Sequence, residues 1–392
     1  MNFLFGNFDF EHDLGPPGPR TLPAAVQRIN AELAFALVTL AKPGDFVWAP
    51  EPPDPDYARH LAAIGLPDVR FVSDASLVPE GTNVLPWGWS ARVRQWGARN
   101  RWPCEGPDLD AVATANSRAF SSALEREWDV GLPHARPIHT LQELNDAIAE
   151  STRHAPGWVI KANFGMSARE RILGRGTTAA PQAVQWVQKQ LAENEAVYFE
   201  PWVDRIEEVG VQFTIPKVGE PHLEGITSLL TDQLGTYRGS RFRGISCQLA
   251  RSDEFAPVLD VVTRAVQRIQ QLGYFGPLGI DAMRYRTEDG EVRWRPLQDI
   301  NARLTMGRLA LGIQRIVPES PHASWLHLPR SKEFIESHEF IHANSEPPFP
   351  GARIVRTSPM IVGGQRCSRL SFLCTAPTAE TLHTVETFCL NL

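Results

Sequence analysis

Two apolar segments late in the chain, Gly279–Arg286 and Val292–Ile300, flank the turn residues 287–290 and predict a long β-hairpin. The first opens on Gly279-Ile280-Asp281-Ala282-Met283, and the second closes on Leu297-Gln298-Asp299-Ile300-Asn301-Ala302-Arg303. Alternate residues of a strand share a face, so Asp299, Asn301 and Arg303 line one surface together. An ordinary solvated strand face would explain three polar residues in a row. It fits poorly here, because Ile300 and Leu304 continue an apolar face beside them. Two carboxylates and an amide oxygen are hard ligands of the kind Mg²⁺ takes. The hairpin therefore marks Asp281, Asp299 and Asn301 as candidate metal ligands.

A second constraint comes from the scarcity of lysine. The chain has Lys42, Lys161, Lys189, Lys217 and Lys332, and every other basic residue is arginine. Lys161 ends the apolar strand Trp158–Ala162, where an ammonium is costly without an anionic partner. Snorkelling from a strand end is the plainer alternative. Upstream stand Asn116-Ser117-Arg118, a helical stretch over 109–127, and Gly131-Leu132-Pro133. Downstream, Asn163-Phe164-Gly165-Met166-Ser167-Ala168-Arg169 lies between two predicted strands, and Glu200-Pro201-Trp202-Val203 leaves a third.

In this order and spacing, residues 111–311 resemble the ATP-grasp superfamily. The resemblance implies an α/β and α+β protein: an ATP-grasp fold preceded by a Rossmann-like pre-ATP-grasp domain. Expected boundaries are 1–105 for that domain, 106–200 and 201–325 for the two lobes, and 326–392 for a C-terminal extension. It implies ATP and Mg²⁺ as cofactors. Arg118, in place of the family's lysine, and Lys161 would face phosphates. Gly165 and Ser167 would belong to a lid over them, although the loop could be a plain hairpin connection. Glu200, Pro201, Trp202 and Val203 would form the adenine hinge. Glu208, with Glu207 as its competitor, would meet ribose. Asp281, Asp299 (in place of the family's glutamate) and Asn301 would hold metal, and Arg303 would stabilise transferring charge. Arg241 and Arg243, on a basic segment over 237–243, would meet an anionic substrate or the γ-phosphate; a solvated loop is the bland alternative.

The activity so implied is ADP-forming carbon–nitrogen ligation through an acyl phosphate, with small-molecule or peptide carboxylates and amines as partners. A kinase or other acyl-phosphate-forming enzyme, and an inactive nucleotide binder, are the alternatives. A homodimer is a further implication of the resemblance.

Composition limits the remaining classes. A formal charge of −6 argues against a general nucleic-acid binder, despite the Trp- and Arg-rich run over 87–102. Five cysteines without a CxxC pair favour reduced thiols and a cytoplasmic location over a disulfide framework or zinc site. The longest apolar stretch, Leu33–Ala41, is too short to span a bilayer, and no signal peptide is expected. Gly174-Arg175-Gly176-Thr177-Thr178-Ala179 mimics a dinucleotide fingerprint but does not open a helix directly. His12, with Asp9, Glu11 and Asp13, lacks metal-ligand spacing and reads as a polar junction with some claim to substrate binding. Cys247 has no histidine at a spacing that supports a nucleophile, and no motif is legible after Val317.

Overall fold

A computed structural model of the chain describes residues 1–15, 22–165, 170–193, 196–244, 249, 252–317, 319–329 and 349–391. The N-terminal unit is a parallel sheet of β1 (Asn2–Phe5), β2 (Phe46–Trp48), β3 (Arg70–Val72) and β4 (Asn83–Pro86), in the order β3-β2-β1-β4. Parallel neighbours need crossovers. The segment 24–39 supplies one, a helix followed by a 3-10 turn, and the helix Tyr57–Ala63 supplies the next. The central strand β1 escapes sequence reading, because a run as short as Asn2–Phe5 has no period to recognise. The Trp-rich run folds inward: Trp87, Trp89 and Trp102 are buried, and the Trp102 ring lies 4.9 Å from that of Phe3. Rings buried in this way form no stacking platform for bases.

The next sheet contains β5 (Arg136–Ile138), β6 (Trp158–Lys161), β7 (Arg171–Gly174) and β8 (Val197–Pro201), in the order β5-β8-β6-β7. The helices Leu141–Ser151 and Pro181–Glu193 add Leu144, Ile148 and Val187 to its core of Ile138, Trp158, Ile160 and Phe199. Thr140 caps the start of the first helix, and Glu143 reaches back to the residue before it. The Glu143 N–H donates to Thr140 Oγ1 at 3.1 Å, and the His139 N–H to Glu143 Oε2 at 2.7 Å. The apparent dinucleotide fingerprint lies beside this sheet and has a structural cause. A Cβ on Gly174 would come within 2.1 Å of the Trp158 ring, and Gly176 turns the chain at φ +77°.

The largest sheet has eight strands, all antiparallel to their neighbours: β9 (Asp204–Ile215), β10 (His222–Thr231), β11 (Tyr237–Arg241), β12 (Gly276–Arg286), β13 (Val292–Asn301), β14 (His322–Pro329), β15 (Arg353–Arg356) and, after a small pair β16 (Ile361–Val362) and β17 (Gln365–Arg366), β18 (Arg369–Ala376). The order is β13-β12-β9-β10-β11-β14-β18-β15. The helix Ala256–Gln271 buries Val258, Val262, Ala265, Val266 and Ile269 in the core it shares with this sheet. Gly273 at φ +91° follows that helix, a left-handed conformation that glycine adopts without strain. The helix starts without a side-chain cap, and the Ser252 hydroxyl ahead of it donates to the Leu249 carbonyl.

Two further differences bear on the site. The stretch 109–127 is two helices, Leu109–Asn116 and Arg118–Trp128, divided at Ser117 in extended backbone (φ −81°, ψ 142°). The C-terminal residues do not stand apart: β14 crosses the expected boundary at 325, and β14, β15 and β18 enlarge the second lobe's sheet. Among the described residues, no helix is long and apolar enough to cross a membrane.

Candidate active site

The hairpin register places the two acids directly opposite each other. In β12–β13, Asp281 pairs with Asp299 and Gly279 with Asn301. Asn301 Nδ2 donates to Asp281 Oδ2 at 3.3 Å. Arg303 Nη2 donates to Asn301 Oδ1 at 2.7 Å, and its Nε to Glu11 Oε1 at 2.6 Å. Arg118 Nη1 reaches Asp299 Oδ1 at 3.4 Å from across the cleft. Burial, with the facing Asp299 adding to it, pushes the Asp281 carboxyl up to about 8. Like charges held opposite one another in this way favour a cation between them. Among the described residues, no group of three or more His, Cys, Asp and Glu is arranged as a metal cage. Mg²⁺ carried on phosphates needs one or two carboxylates, not a full protein cage, so the donor set fits it.

A buried ion network backs this wall. Arg295 on β13 grips Glu125 through Nε (2.5 Å) and Nη2 (2.9 Å), and Glu200 through Nη1 (2.9 Å) and Nη2 (3.0 Å). Lys161 Nζ closes the chain on Glu200 Oε2 at 2.6 Å. Burial pushes the Glu200 carboxyl up, but Arg295 and Lys161 outweigh it and hold it well below the usual range. Glu125 has one strong cationic partner, and there burial prevails and its carboxyl is raised.

Asn116 explains its place in the motif. Its Oδ1 accepts the Ala302 N–H at 3.0 Å, which fixes the backbone between Asn301 and Arg303. Arg118 begins the following helix, where Ser117 Oγ accepts the Phe120 N–H at 3.2 Å. The Arg118 N–H donates to the Asn163 carbonyl at 3.0 Å, and the Ala119 N–H to Asn163 Oδ1 at 3.0 Å. This helix start therefore docks onto the segment leaving Lys161. Ser117→Ala should cost about 1 kcal/mol of stability, the usual loss for a helix cap, read as a lowered midpoint in urea unfolding.

These groups open into one cavity of about 510 Å³, lined among others by Arg118, Lys161, Gly165, Glu208, Asp281, Asp299, Asn301 and Arg303. A wider cleft of about 1230 Å³ adjoins it, shares Glu208, Leu229 and Thr231, and is bordered by Trp202 and Val203.

Comparison with known protein families gives no match. Among solved structures, the chain is similar to an N5-carboxyaminoimidazole synthetase from Staphylococcus aureus, with a TM-score of 0.57 at 10% identity over 100% of this chain and 97% of that one. A biotin carboxylase–β,γ-ATP complex from Campylobacter jejuni gives 0.57 at 9% identity, over 99% and 90%. An N5-carboxyaminoimidazole ribonucleotide synthetase in complex with ADP gives 0.54 at 14% identity, over 90% and 93%. At such identities the likeness is one of fold. The fold is ATP-grasp. A curated relative, the [butirosin acyl-carrier protein]–L-glutamate ligase of Niallia circulans, is 37% identical over 86 residues. That match spans 22% of this chain and 19% of the relative.

Within the ATP-grasp frame, the hairpin acids, Asn301, Arg303, Arg118, Lys161, Gly165 and Glu208 meet at one cavity. Ser167 lies outside the described residues. The side chain of Glu200 belongs to the ion network; Pro201, Trp202 and Val203 carry the chain from β8 to β9. The Trp202 N–H donates to the Gly157 carbonyl at 2.8 Å, and its ring lies under the Arg205 guanidinium at 4.7 Å. Val203 packs with Leu132, Met283 and Tyr285, an apolar cluster joining the two lobes. Glu208 is held by Gln298 and Thr231, each at 2.6 Å.

The arginines of 237–243 do not gather at the cavity as the sequence predicts. Arg241 is turned to Glu386 on the C-terminal helix, with its Nε 2.9 Å from Glu386 Oε1, and Arg243 donates to the Ser320 carbonyl at 3.0 Å. Neither lines the cavity, whereas Tyr237, Arg171, His327 and Arg369 do. Sequence reading missed Glu11 as the partner of Arg303, and missed Arg295 and Glu125 altogether. A charged residue in the apolar run 292–300 was the available signal for Arg295. Its two partners lie 95 and 170 residues away, and only the fold brings them together.

Proposed function

We propose that the protein is an ATP- and Mg²⁺-dependent ligase that activates a carboxylate as an acyl phosphate and couples it to an amine. The observation that carries this reading is the register of Asp281 against Asp299, with Asn301 and Arg303 beside them and two cations, Arg118 and Lys161, lining the same cavity.

Asp281, Asp299 and Asn301 would hold Mg²⁺, which when bound neutralises charge on the transferring phosphoryl group. Arg118 and Lys161, which line the same cavity, would meet the polyphosphate. The Glu200 carboxylate fixes the Lys161 ammonium, so its position needs no rearrangement when phosphate arrives. Arg303 is held at Nε by Glu11 and at Nη2 by Asn301, beside the acids, where it can orient the substrate carboxylate and then stabilise the oxyanion. The carboxylate attacks the γ-phosphorus and ADP departs. The amine then attacks the acyl carbon and phosphate leaves, a leaving group that a free carboxylate lacks. The hinge segment 200–203 and Glu208 would receive adenine and ribose.

The test is ADP release screened across a panel of carboxylates and amines, with and without Mg²⁺. Release should require a particular carboxylate–amine pair and Mg²⁺. It should fall by about two to three orders of magnitude in Asp299→Ala and in Lys161→Ala, the scale of losing a preorganised electrostatic group. Phosphorylated carboxylate that accumulates whatever amine is present would identify a kinase. MgATP binding without turnover on any pair would favour the inactive binder.

A further inference from the structure

We propose that the carboxylate this protein activates is an apolar monocarboxylic acid, seated with its carboxylate on Arg303 and its alkyl or aryl body against the N-terminal wall of the cavity. The proposal rests on the ligase reading above and names the substrate class of that same site.

The lining of the cavity includes Phe8, Ile29, Leu33 and Trp87 from the N-terminal unit, and Met306 at the start of the helix Met306–Ile313. A polyphosphate has no use for such side chains. Ile29 and Leu33 stand one turn apart on the helix Ala24–Leu33 and so share a face. The Phe8 and Trp87 rings lie 4.8 Å apart. Ile29, Leu33 and Met306 are only half-buried, and an apolar ligand would take their remaining surface out of water.

Arg303 borders this wall, with its guanidinium carbon 5.4 Å from the Trp87 ring centroid. Three of its five N–H donors are used within the protein, by Glu11 at Nε, Asn301 at Nη2 and the Leu304 carbonyl at Nη1. One N–H on each Nη is left, a pair that matches the two oxygens of a carboxylate. A carboxylate held there stands between the hairpin acids and the apolar wall. In the step served, one of its oxygens forms the bond to the γ-phosphorus. The bond from that phosphorus to the β,γ-bridging oxygen breaks, and its electron pair leaves on ADP.

The polar groups around the wall are already engaged. Thr305 Oγ1 donates to Gln212 Oε1 at 2.6 Å and accepts the Arg308 N–H at 3.1 Å. Asn30 Nδ2 donates to Asp9 Oδ1 at 3.4 Å. Of the neighbouring cations, Arg28 is paired with Glu32 and Glu51, and Arg92 with Asp9 and Asp13. Arg369, which also lines the cavity, has its partner within the protein. A second carboxylate on the substrate would therefore be desolvated against the wall without a cation to meet it, whereas an alkyl or aryl body gains from the same contact.

The test is calorimetric titration of the full chain, saturated with Mg²⁺ and a non-hydrolysable ATP analogue, with acetate, propanoate, butanoate, pentanoate, glutarate and pentanamide. Affinity should rise from acetate to pentanoate by about fourfold per methylene, the gain for burying one CH₂. Glutarate carries a second carboxylate where pentanoate has its methyl group, and pentanamide lacks the charge. Each should bind at least about tenfold more weakly than pentanoate. Ile29→Lys sets a cation in the wall and should shift the preference toward glutarate by about tenfold. Ile29→Ser, the milder change, should weaken pentanoate by about threefold or more and leave acetate, which does not reach the wall, as it was. Melting curves of both variants separate binding from folding. Flat affinity along the series would overturn the proposal, as would glutarate or pentanamide binding as well as pentanoate. So would a folded Ile29→Ser chain with unchanged pentanoate affinity, or a nucleotide-loaded chain that binds none of these acids. Absence of nucleotide binding in the unmodified chain would instead remove the ligase reading and this proposal with it.

Discussion

Arg295→Met should lower the free energy of unfolding at pH 7 by about 3–5 kcal/mol, the usual penalty for stripping one partner from a buried ion pair. Arg295 is 4% exposed and serves two carboxylates at once. Its loss leaves Glu125 without its strong cation and Glu200 with Lys161 alone. The pH dependence gives a second reading of the same cause. Carboxyls buried without a cation have folded-state pKa values above their unfolded ones, so the folded variant binds protons more readily than the unfolded chain. Its stability therefore falls as pH rises through that interval. Measured against the unmodified protein, the deficit should be smaller at pH 5 than at pH 8. Urea unfolding at both values checks the size and the sign.

On the proposed ligase mechanism, Arg303→Lys should reduce the rate of carboxylate-dependent ADP release by about 10²–10³-fold, with little change in KM for ATP, because the interaction it removes is the one proposed to the transferring charge. The guanidinium makes three bonds in fixed directions, to Glu11, Asn301 and the Leu304 carbonyl, and its carbon lies 5.4 Å from the Trp87 ring centroid. An ammonium keeps the charge but cannot reproduce that fork. Alanine is the poorer probe. Burial already pushes the Glu11 carboxyl up against the pull of Arg303, and removing the cation would destabilise the fold as well as the site. Steady-state kinetics beside a melting curve separates the two effects.

The parts of the site legible in the sequence are those whose spacing is local. Asp299, Asn301 and Arg303 could be placed on one wall because a two-residue strand period fixes which side chains share a face. Lys161 stood out as a charge ending an apolar strand, and Asn116-Ser117-Arg118 as a helix start. Partners set by tertiary contact were not legible. Nothing near Arg303 in sequence identifies Glu11, 292 residues away, and nothing near Lys161 shows that Glu200 carries an ion network in its side chain. Arg241 and Arg243 show the same limit in reverse. Their clustering suggested an anion site, but the contacts of Arg241 with Glu386 and of Arg243 with Ser320 come from C-terminal residues in which no motif was readable.

The ATP-grasp fold followed from the resemblance carried by the motifs between residues 111 and 311. Strands β14, β15 and β18 did not, because segments joining a sheet from outside a motif carry only a generic apolar signal. That loss mattered, since His327 and Arg369 sit on two of those strands.

The central claim is that the cavity around Asp281 and Asp299 takes ATP with Mg²⁺. Calorimetric titration of the full chain with MgATP tests it most directly, with chelator present in one series and Asp299→Ala in another. The account predicts saturable binding at one site per chain that is lost or strongly weakened in both series. An unmodified, folded chain that shows no MgATP binding would contradict it.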